Sequence, residues 1–224
     1  MSDGGAPRYP VVLFDLDGTL VDTIPLIVAS FQHVGETLLG RRLDDAWILG
    51  GIGRPLADVL AELAPNRRGE LVDAYRAFQS ANLDRLIRRV PGIEEALDAL
   101  VQAGCRIGLA TSRSRTSTWQ ILAAAGLHGR FDHVVVEEDT TAHKPDPAPV
   151  LAALDNLGAD DGTAAIYVGD AAVDLLAARA AGIDAAAVLW GASSLEDLMA
   201  VHYEPRHVCR RPADIVRVAV GGDG

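Results

Sequence analysis

Five short apolar runs, alternating with helical stretches that each stop at a glycine, constrain this chain more than any other feature of its sequence. Val11–Phe14 runs directly into Asp15-Leu16-Asp17-Gly18-Thr19, the form of a strand buried on both faces whose C-terminal end opens into a polar turn. Comparable runs lie at Ile107–Ala110, Val134–Val136, Ala165–Val168 and Ala186–Leu189. Between them fall helical patterns at Ile93–Ala103, Ser114–Ala125, Pro147–Leu157 and Val173–Ala181, followed by Gly104, Gly126, Gly158 and Gly182 as C-terminal stops. Strand and helix alternating in this way predict an α/β fold, a doubly wound parallel sheet with helices on both faces.

One connection is too long for that pattern. Leu20 and Ile107 are separated by roughly 85 residues, whereas a crossover between parallel strands needs only about a dozen. Three helical stripes fill the gap: Ile24, Ile27, Val28, Phe31, Val34 and Leu38; then Leu56, Val59, Leu60 and Leu63; then Leu71, Val72, Tyr75, Phe78, Leu83 and Leu86. Such stripes pack on one another, so residues 22–88 are expected to form a small helical domain inserted into a core of residues 1–21 and 89–224. Residues 1–6 and 221–224 read as loose tails.

Ligands of open α/β sheets sit outside the C-terminal strand ends, so the residues delivered there carry the functional reading. The first strand delivers Asp15 and Asp17, the second Thr111, Ser112 and Arg113. Lys144 follows the third, and the fourth delivers Asp170, with Asp174 four residues on. Residues two apart in extended chain share a face, so Asp15 and Asp17 repel unless one is protonated or a cation joins them. Asp170 adds a third hard oxygen donor of the kind Mg²⁺ takes.

Phe14-Asp15-Leu16-Asp17-Gly18-Thr19-Leu20-Val21-Asp22-Thr23, Leu109-Ala110-Thr111-Ser112, Lys144-Pro145-Asp146-Pro147 and Val168-Gly169-Asp170-Ala171-Ala172-Val173-Asp174 resemble, in order and spacing, the four motifs of the haloacid dehalogenase superfamily. The resemblance runs from about Pro10 to Leu189 and implies a Rossmann-like core with the inserted helices as a cap. It implies Asp15 as the nucleophile that forms an aspartyl-phosphate, and Asp17 as the acid and base. Thr111 and Lys144 would hold phosphoryl oxygens. Mg²⁺ would be bound by Asp15, the carbonyl of Asp17 and Asp170, with Asp174 in support. Many members carry Ser or Thr after the aspartate that is Asp170 here. This chain has Ala171, which puts one hydrogen bond around the metal site in question.

Neighbouring positions have simpler readings. Asp22 and Thr23 cap the first inserted helix, and Asp146 caps a helix whose first residue is Pro147. Gly18 permits a tight turn that brings backbone N–H groups toward the phosphate. His33 belongs to a half-exposed position in the insertion, and Trp47, Trp119 and Trp190 to packing or the rim. In Gly50-Gly51-Ile52-Gly53-Arg54-Pro55-Leu56, Arg54 either grips a second anionic group of the substrate or is solvated at a helix start; Arg113 is a second candidate anchor.

A net charge of −11 and a pI near 4.9 leave no basic field for nucleic acid or an anionic membrane. No run approaches a membrane span and the start lacks a signal-peptide pattern, so a cytoplasmic protein is expected. Cys105 and Cys209 suit two buried thiols in a reducing compartment. The expected activity is that of a Mg²⁺-dependent phosphatase acting on a small anionic phosphorylated metabolite such as phosphoglycolate, with inorganic pyrophosphatase or sugar phosphomutase as alternatives. A receiver-like phosphoacceptor domain fits less well, because it places an acidic pair after the first strand and its acceptor aspartate after a later one.

Overall fold

A computed structural model describes residues 6–159, 162–200 and 204–221, so most of both expected tails lies outside the described residues. In chain order the elements are β1 Val11–Phe14, β2 Val21–Asp22, α1 Ile24–Leu38, α2 Asp45–Gly50, α3 Leu56–Leu63, α4 Arg68–Leu86, β3 Arg88–Arg89, α5 Ile93–Gln102, β4 Arg106–Ala110, α6 Arg115–Ala125, β5 His133–Val135, α7 Ala148–Asn156, β6 Ala165–Gly169, α8 Ala172–Ala180, β7 Asp184–Val188, α9 Leu195–Met199, β8 His207–Cys209 and α10 Pro212–Val220. Six strands pair in parallel in the order β5-β4-β1-β6-β7-β8. The chain builds outward from β1 on one side, then crosses to the other, so β1, β4 and β6 meet at the switch point where α/β sheets bind ligands.

Because side chains alternate along a strand, β1 feeds two cores. Val12 and Phe14 join Leu109, Val168, Leu97 of α5, Ile121 of α6 and Ile215 of α10 on one face. Val11 and Leu13 join Tyr167, Val150 of α7, Leu175 of α8 and Leu198 of α9 on the other. Register is fixed by these faces: Leu13 lies between Gly108 of β4 and Tyr167 of β6. Cys105 and Cys209 are buried free thiols.

The strand count differs from the expected five. His207–Cys209 adds a sixth at the sheet edge, too short and too polar in its first residue to stand out as an apolar run. Asp146 is not the cap of α7: the helix begins one residue later than expected with Pro147 at the cap position, and Asp146 Oδ1 accepts from the Ala148 N–H at 2.9 Å from the position before it.

The chain leaves the sheet through β2 and returns through β3, which pair antiparallel with Val21 opposite Arg89 and Asp22 opposite Arg88. Four helices rather than three stripes lie between. The additional one, α2, is held by Asp44, whose Oδ1 accepts from the Trp47 N–H at 2.8 Å; at six residues it shows no readable period. Ile27, Phe31 and Val34 of α1, Ile48 of α2, Val59 and Leu60 of α3 and Leu71 and Tyr75 of α4 form a separate apolar core. Trp47 packs edge-on to Phe31, and His33 stacks on Phe78 at a half-buried position.

Close packing at the switch point yields a stability prediction. A Cβ at Gly108 would fall 2.7 Å from Leu13 Cδ2 and 2.9 Å from Leu157 Cδ1. Gly108→Ala is expected to destabilise the protein by about 1–3 kcal/mol, read as a lower urea midpoint at unchanged slope.

Candidate active site

The ends of β1, β4 and β6 bring Asp15, Asp17, Thr111 and Asp170 together, and the segment before α7 inserts Lys144 among them. Lys144 is buried; its Nζ donates to Asp15 Oδ1 at 2.7 Å, to Asp174 Oδ1 at 2.7 Å and to the Tyr167 hydroxyl at 3.0 Å. Burial by itself would depress its pKa, but Asp15 and Asp174 outweigh that and hold it well above the usual lysine value. Tyr167 was not singled out from the sequence. Its hydroxyl donates to the Ala110 carbonyl at 2.6 Å, tying β6 to β4 below the ammonium. A lone phenol in an otherwise apolar strand is the signal that marks it.

Asp170 is fully buried. Its Oδ1 accepts from the Thr19 hydroxyl at 3.0 Å and its Oδ2 from the Ala192 N–H at 2.7 Å. These two donors surround the carboxylate without any hydroxyl at position 171. The Ala171 N–H is itself engaged, donating to Asp174 Oδ2 at 3.0 Å. Asp174 therefore spends both oxygens on Ala171 and Lys144, which suits a supporting position.

Asp15, Asp170 and Asp174 each offer a carboxylate oxygen within 4.8 Å of the others. Three buried carboxylates share one buried ammonium, so the cluster lacks positive charge. Burial raises Asp15 to about 7, against the attraction of Lys144 and with repulsion from Asp174 and Asp17 adding to it. Burial likewise raises Asp170 well above the usual carboxylate range, with Asp174 and Asp15 adding to the effect. Oxygen donors with a charge deficit fit a hard divalent cation such as Mg²⁺.

Gly18 acts differently from the sequence expectation. Its N–H donates to the Val21 carbonyl at 2.9 Å rather than facing the cavity. It has φ +72°, and a Cβ there would lie 2.2 Å from Asp170 Oδ2, so glycine is required by the approach of that carboxylate. Thr23 does not cap α1 through its side chain; its hydroxyl donates to Asp17 Oδ1 at 2.5 Å. Asp22 Oδ1 accepts from the Ile24 N–H at 3.3 Å.

Asp17, Thr111, Ser112, Arg113 and Arg54 line a cavity between the strand ends and the inserted helices, walled by Ile27, Phe31 and Val59. Ser112 donates to the Gly53 carbonyl at 2.7 Å and so joins the sheet to the glycine-rich loop. Arg54 is half-exposed and paired with Glu62 at 2.5 Å. Arg113 is turned to Asp17, its Nε lying 2.8 and 2.6 Å from the two carboxylate oxygens, while Nη1 donates to Gln79 Oε1 of α4 at 2.8 Å and to Ser117 at 2.7 Å. Gln79 also escaped the sequence reading. It stands four residues after Tyr75, a polar group continuing a buried stripe. Trp190 is half-buried and packs against the core of the sheet, donating to the Thr19 carbonyl at 3.0 Å, and Trp119 is exposed.

The chain is similar to known proteins along most of its length. The sequence model of the haloacid dehalogenase-like hydrolases matches residues 12–188. The chain is 35% identical to the pyrophosphatase PpaX of Bacillus velezensis, over 94% of this chain and 96% of that one. A Lactobacillus plantarum protein provisionally named a phosphoglycolate phosphatase superposes with a TM-score of 0.81 at 26% identity, covering 94% and 99% of the two chains. A haloacid dehalogenase-like hydrolase of Streptococcus pneumoniae superposes with a TM-score of 0.80 at 25% identity, covering 93% and 97%.

The raised carboxylates predict how cation binding depends on pH. Folded Asp15 holds its proton to a higher pH than the unfolded chain does, so this group's contribution to stability falls as pH rises from about 4 to 7. A divalent cation binds the ionised form, so the rise in melting temperature caused by Mg²⁺ should be larger at pH 8 than at pH 6. Differential scanning fluorimetry with and without Mg²⁺ measures it; Asp170→Asn is expected to lose most of the shift.

Proposed function

Because the chain belongs to the haloacid dehalogenase-like hydrolase family, we propose that it is a Mg²⁺-dependent phosphatase of a small phosphorylated metabolite with an anionic leaving group, phosphoglycolate being the type. The observation that carries this reading is Asp15, a buried carboxylate at the end of β1, held by Lys144 and bordered by Asp17 at a cavity that Thr111, Ser112 and Arg113 also line. An Asp15 oxygen attacks phosphorus, the bond from phosphorus to the leaving oxygen breaks, and Asp17 gives that oxygen a proton. Asp17 then takes a proton from water, the water oxygen attacks phosphorus, and the bond to Asp15 breaks to release phosphate.

Like charges oppose the first step. Two unit charges 4 Å apart repel by about 4 kcal/mol at an effective dielectric near 20, so a carboxylate approaches a phosphate dianion only where cations oppose that repulsion. Lys144 supplies one. Mg²⁺ held by Asp15, the Asp17 carbonyl and Asp170, with Asp174 in support through Lys144, would neutralise phosphoryl oxygen charge. Thr111, buried at the end of β4, would donate its hydroxyl to a phosphoryl oxygen. The inserted helices act as a cap over the strand ends, and Ser112 with Gly53 is one of the joints that holds it.

Inorganic pyrophosphate is the second reading, favoured by the full-length similarity to a protein named a pyrophosphatase. A panel of phosphoglycolate, pyrophosphate, sugar phosphates and nucleotides, each with Mg²⁺ and with EDTA, decides between them. Asp15→Asn and Asp17→Asn are each expected to abolish phosphate release with circular dichroism unchanged; near-normal turnover by Asp15→Asn would refute the mechanism. Arg54→Ala is expected to raise KM for anionic substrates several-fold with kcat nearly kept. An unchanged KM for all of them would remove Arg54 from the site.

A further inference from the structure

Asp17 faces away from the role proposed for it. Both of its oxygens are turned to the Nε of Arg113, at 2.8 and 2.6 Å, and Oδ1 also accepts from Thr23. With a guanidinium across both oxygens and a hydroxyl on Oδ1, Asp17 has to turn from this pair to carry a proton to a leaving-group oxygen, so the pair has to open during turnover. The pair is enclosed, with the Arg113 side chain 10% exposed and that of Asp17 12% exposed. Opening it onto nothing would leave a buried guanidinium unpaired. Opening is far easier if another anion takes the guanidinium as the carboxylate leaves.

The guanidinium is built for that exchange. Gln79 and Ser117 fix Nη1, so the plane of the group is held from α4 and α6. Asp17 uses only the Nε–H, with both oxygens crowding one donor, and Nη2 has no partner among the described residues. Nε and Nη2 together form one edge of the fork, which a carboxylate or phosphoryl group can take with two parallel hydrogen bonds. An incoming anion would therefore match Arg113 better than Asp17 does. The other two arginines lining the cavity pair with glutamates, Arg54 with Glu62 and Arg76 with Glu137, and neither is turned to Asp17.

We propose that Arg113 is the specificity-determining residue of this site: a second anionic group on the leaving part of the substrate takes its Nε/Nη2 edge and thereby releases Asp17 to the scissile oxygen. The inference rests on the phosphatase reading above. It defines the substrate class as a phosphate ester or diphosphate whose leaving group carries a carboxylate or phosphoryl group a few atoms from the bond that breaks. Neutral esters of equal size leave Asp17 held and turn over slowly.

The test compares kcat/KM and kcat for phosphoglycolate, pyrophosphate and 2-hydroxyethyl phosphate, the last a neutral counterpart of the first, in wild type, Arg113→Met and Arg113→Lys. Wild type is expected to prefer at least one of the two anionic substrates over 2-hydroxyethyl phosphate by tenfold or more in kcat. Whichever it prefers identifies carboxylate or phosphoryl as the releasing group. Arg113→Met is expected to move the two kinds of substrate in opposite directions, lowering the anionic one tenfold or more and raising 2-hydroxyethyl phosphate at least threefold. Arg113→Lys, which keeps the charge but not the fork, should retain part of the preference and serves if the Met variant fails to fold. Equal losses on all substrates, or a preference unchanged by either variant, would overturn the proposal. Wild-type turnover of all three at similar rates would overturn it while leaving the phosphatase reading standing; no turnover of any of them would overturn both.

Discussion

The buried ammonium of Lys144 is the interaction on which the rest of the structure depends. It lies among Asp15 from β1, Asp174 from α8, and Tyr167 and the Ala110 carbonyl from β6 and β4. One charge therefore ties together the central strands and the helix that follows the third of them. Removing a partner from such a pair costs about 3–5 kcal/mol because the remaining charge stays buried and unpaired. The same ammonium leaves the site short of positive charge, since Asp170 joins Asp15 and Asp174 within reach of a single cation. The cluster thus carries a structural cost that a divalent cation would relieve.

The inserted helices are connected to this centre by polar contacts together with partly buried apolar ones, Leu83 of α4 against a core of the sheet and Ala192 against the core of the insertion. Their own core, around Ile27, Phe31, Leu60 and Tyr75, is separate from the two that sandwich the sheet. The polar contacts that cross include Ser112 to Gly53, Arg113 to Gln79 and Thr23 to Asp17, with Arg76 and Glu137 at 3.9 Å. Hydrogen bonds of this kind contribute about 1 kcal/mol each and can be exchanged for bonds to a ligand, whereas a buried apolar seam could not be reopened so cheaply. Two of them involve residues directly after Thr111 at the end of β4. The turn beyond this strand therefore carries both the Thr111 hydroxyl that lines the cavity and joints to the insertion.

Much of this was legible from the sequence. Parallel strands buried on both faces must be short apolar runs, and residues that follow such runs arrive at the ligand end of the sheet, so Asp15, Asp17, Thr111, Lys144 and Asp170 could be assembled on paper. Edge strand β8 and helix α2 were missed because three and six residues carry too little pattern. Thr23 was read as a helix cap because a hydroxyl before an apolar helical stripe usually is one; here Asp17 competes for it and wins. Ala171 suggested a missing hydrogen bond around Asp170, and Thr19 and the Ala192 N–H supply that carboxylate from elsewhere.

The sequence by itself determined the alternating architecture, the place of the insertion and the residue types at each strand end, because strand burial, helix stops and turn chemistry are all written within a few neighbouring positions. Only the tertiary structure decided what those residues touch. Thr19 meets Asp170 across 151 positions, Arg113 meets Asp17 across 96, and Gln79 meets Arg113 across 34. Contacts at such separations are set by how the sheet and the inserted helices pack, and no local pattern in the chain records them. For that reason the arginine read as an anchor for substrate proved to be holding the aspartate beside it.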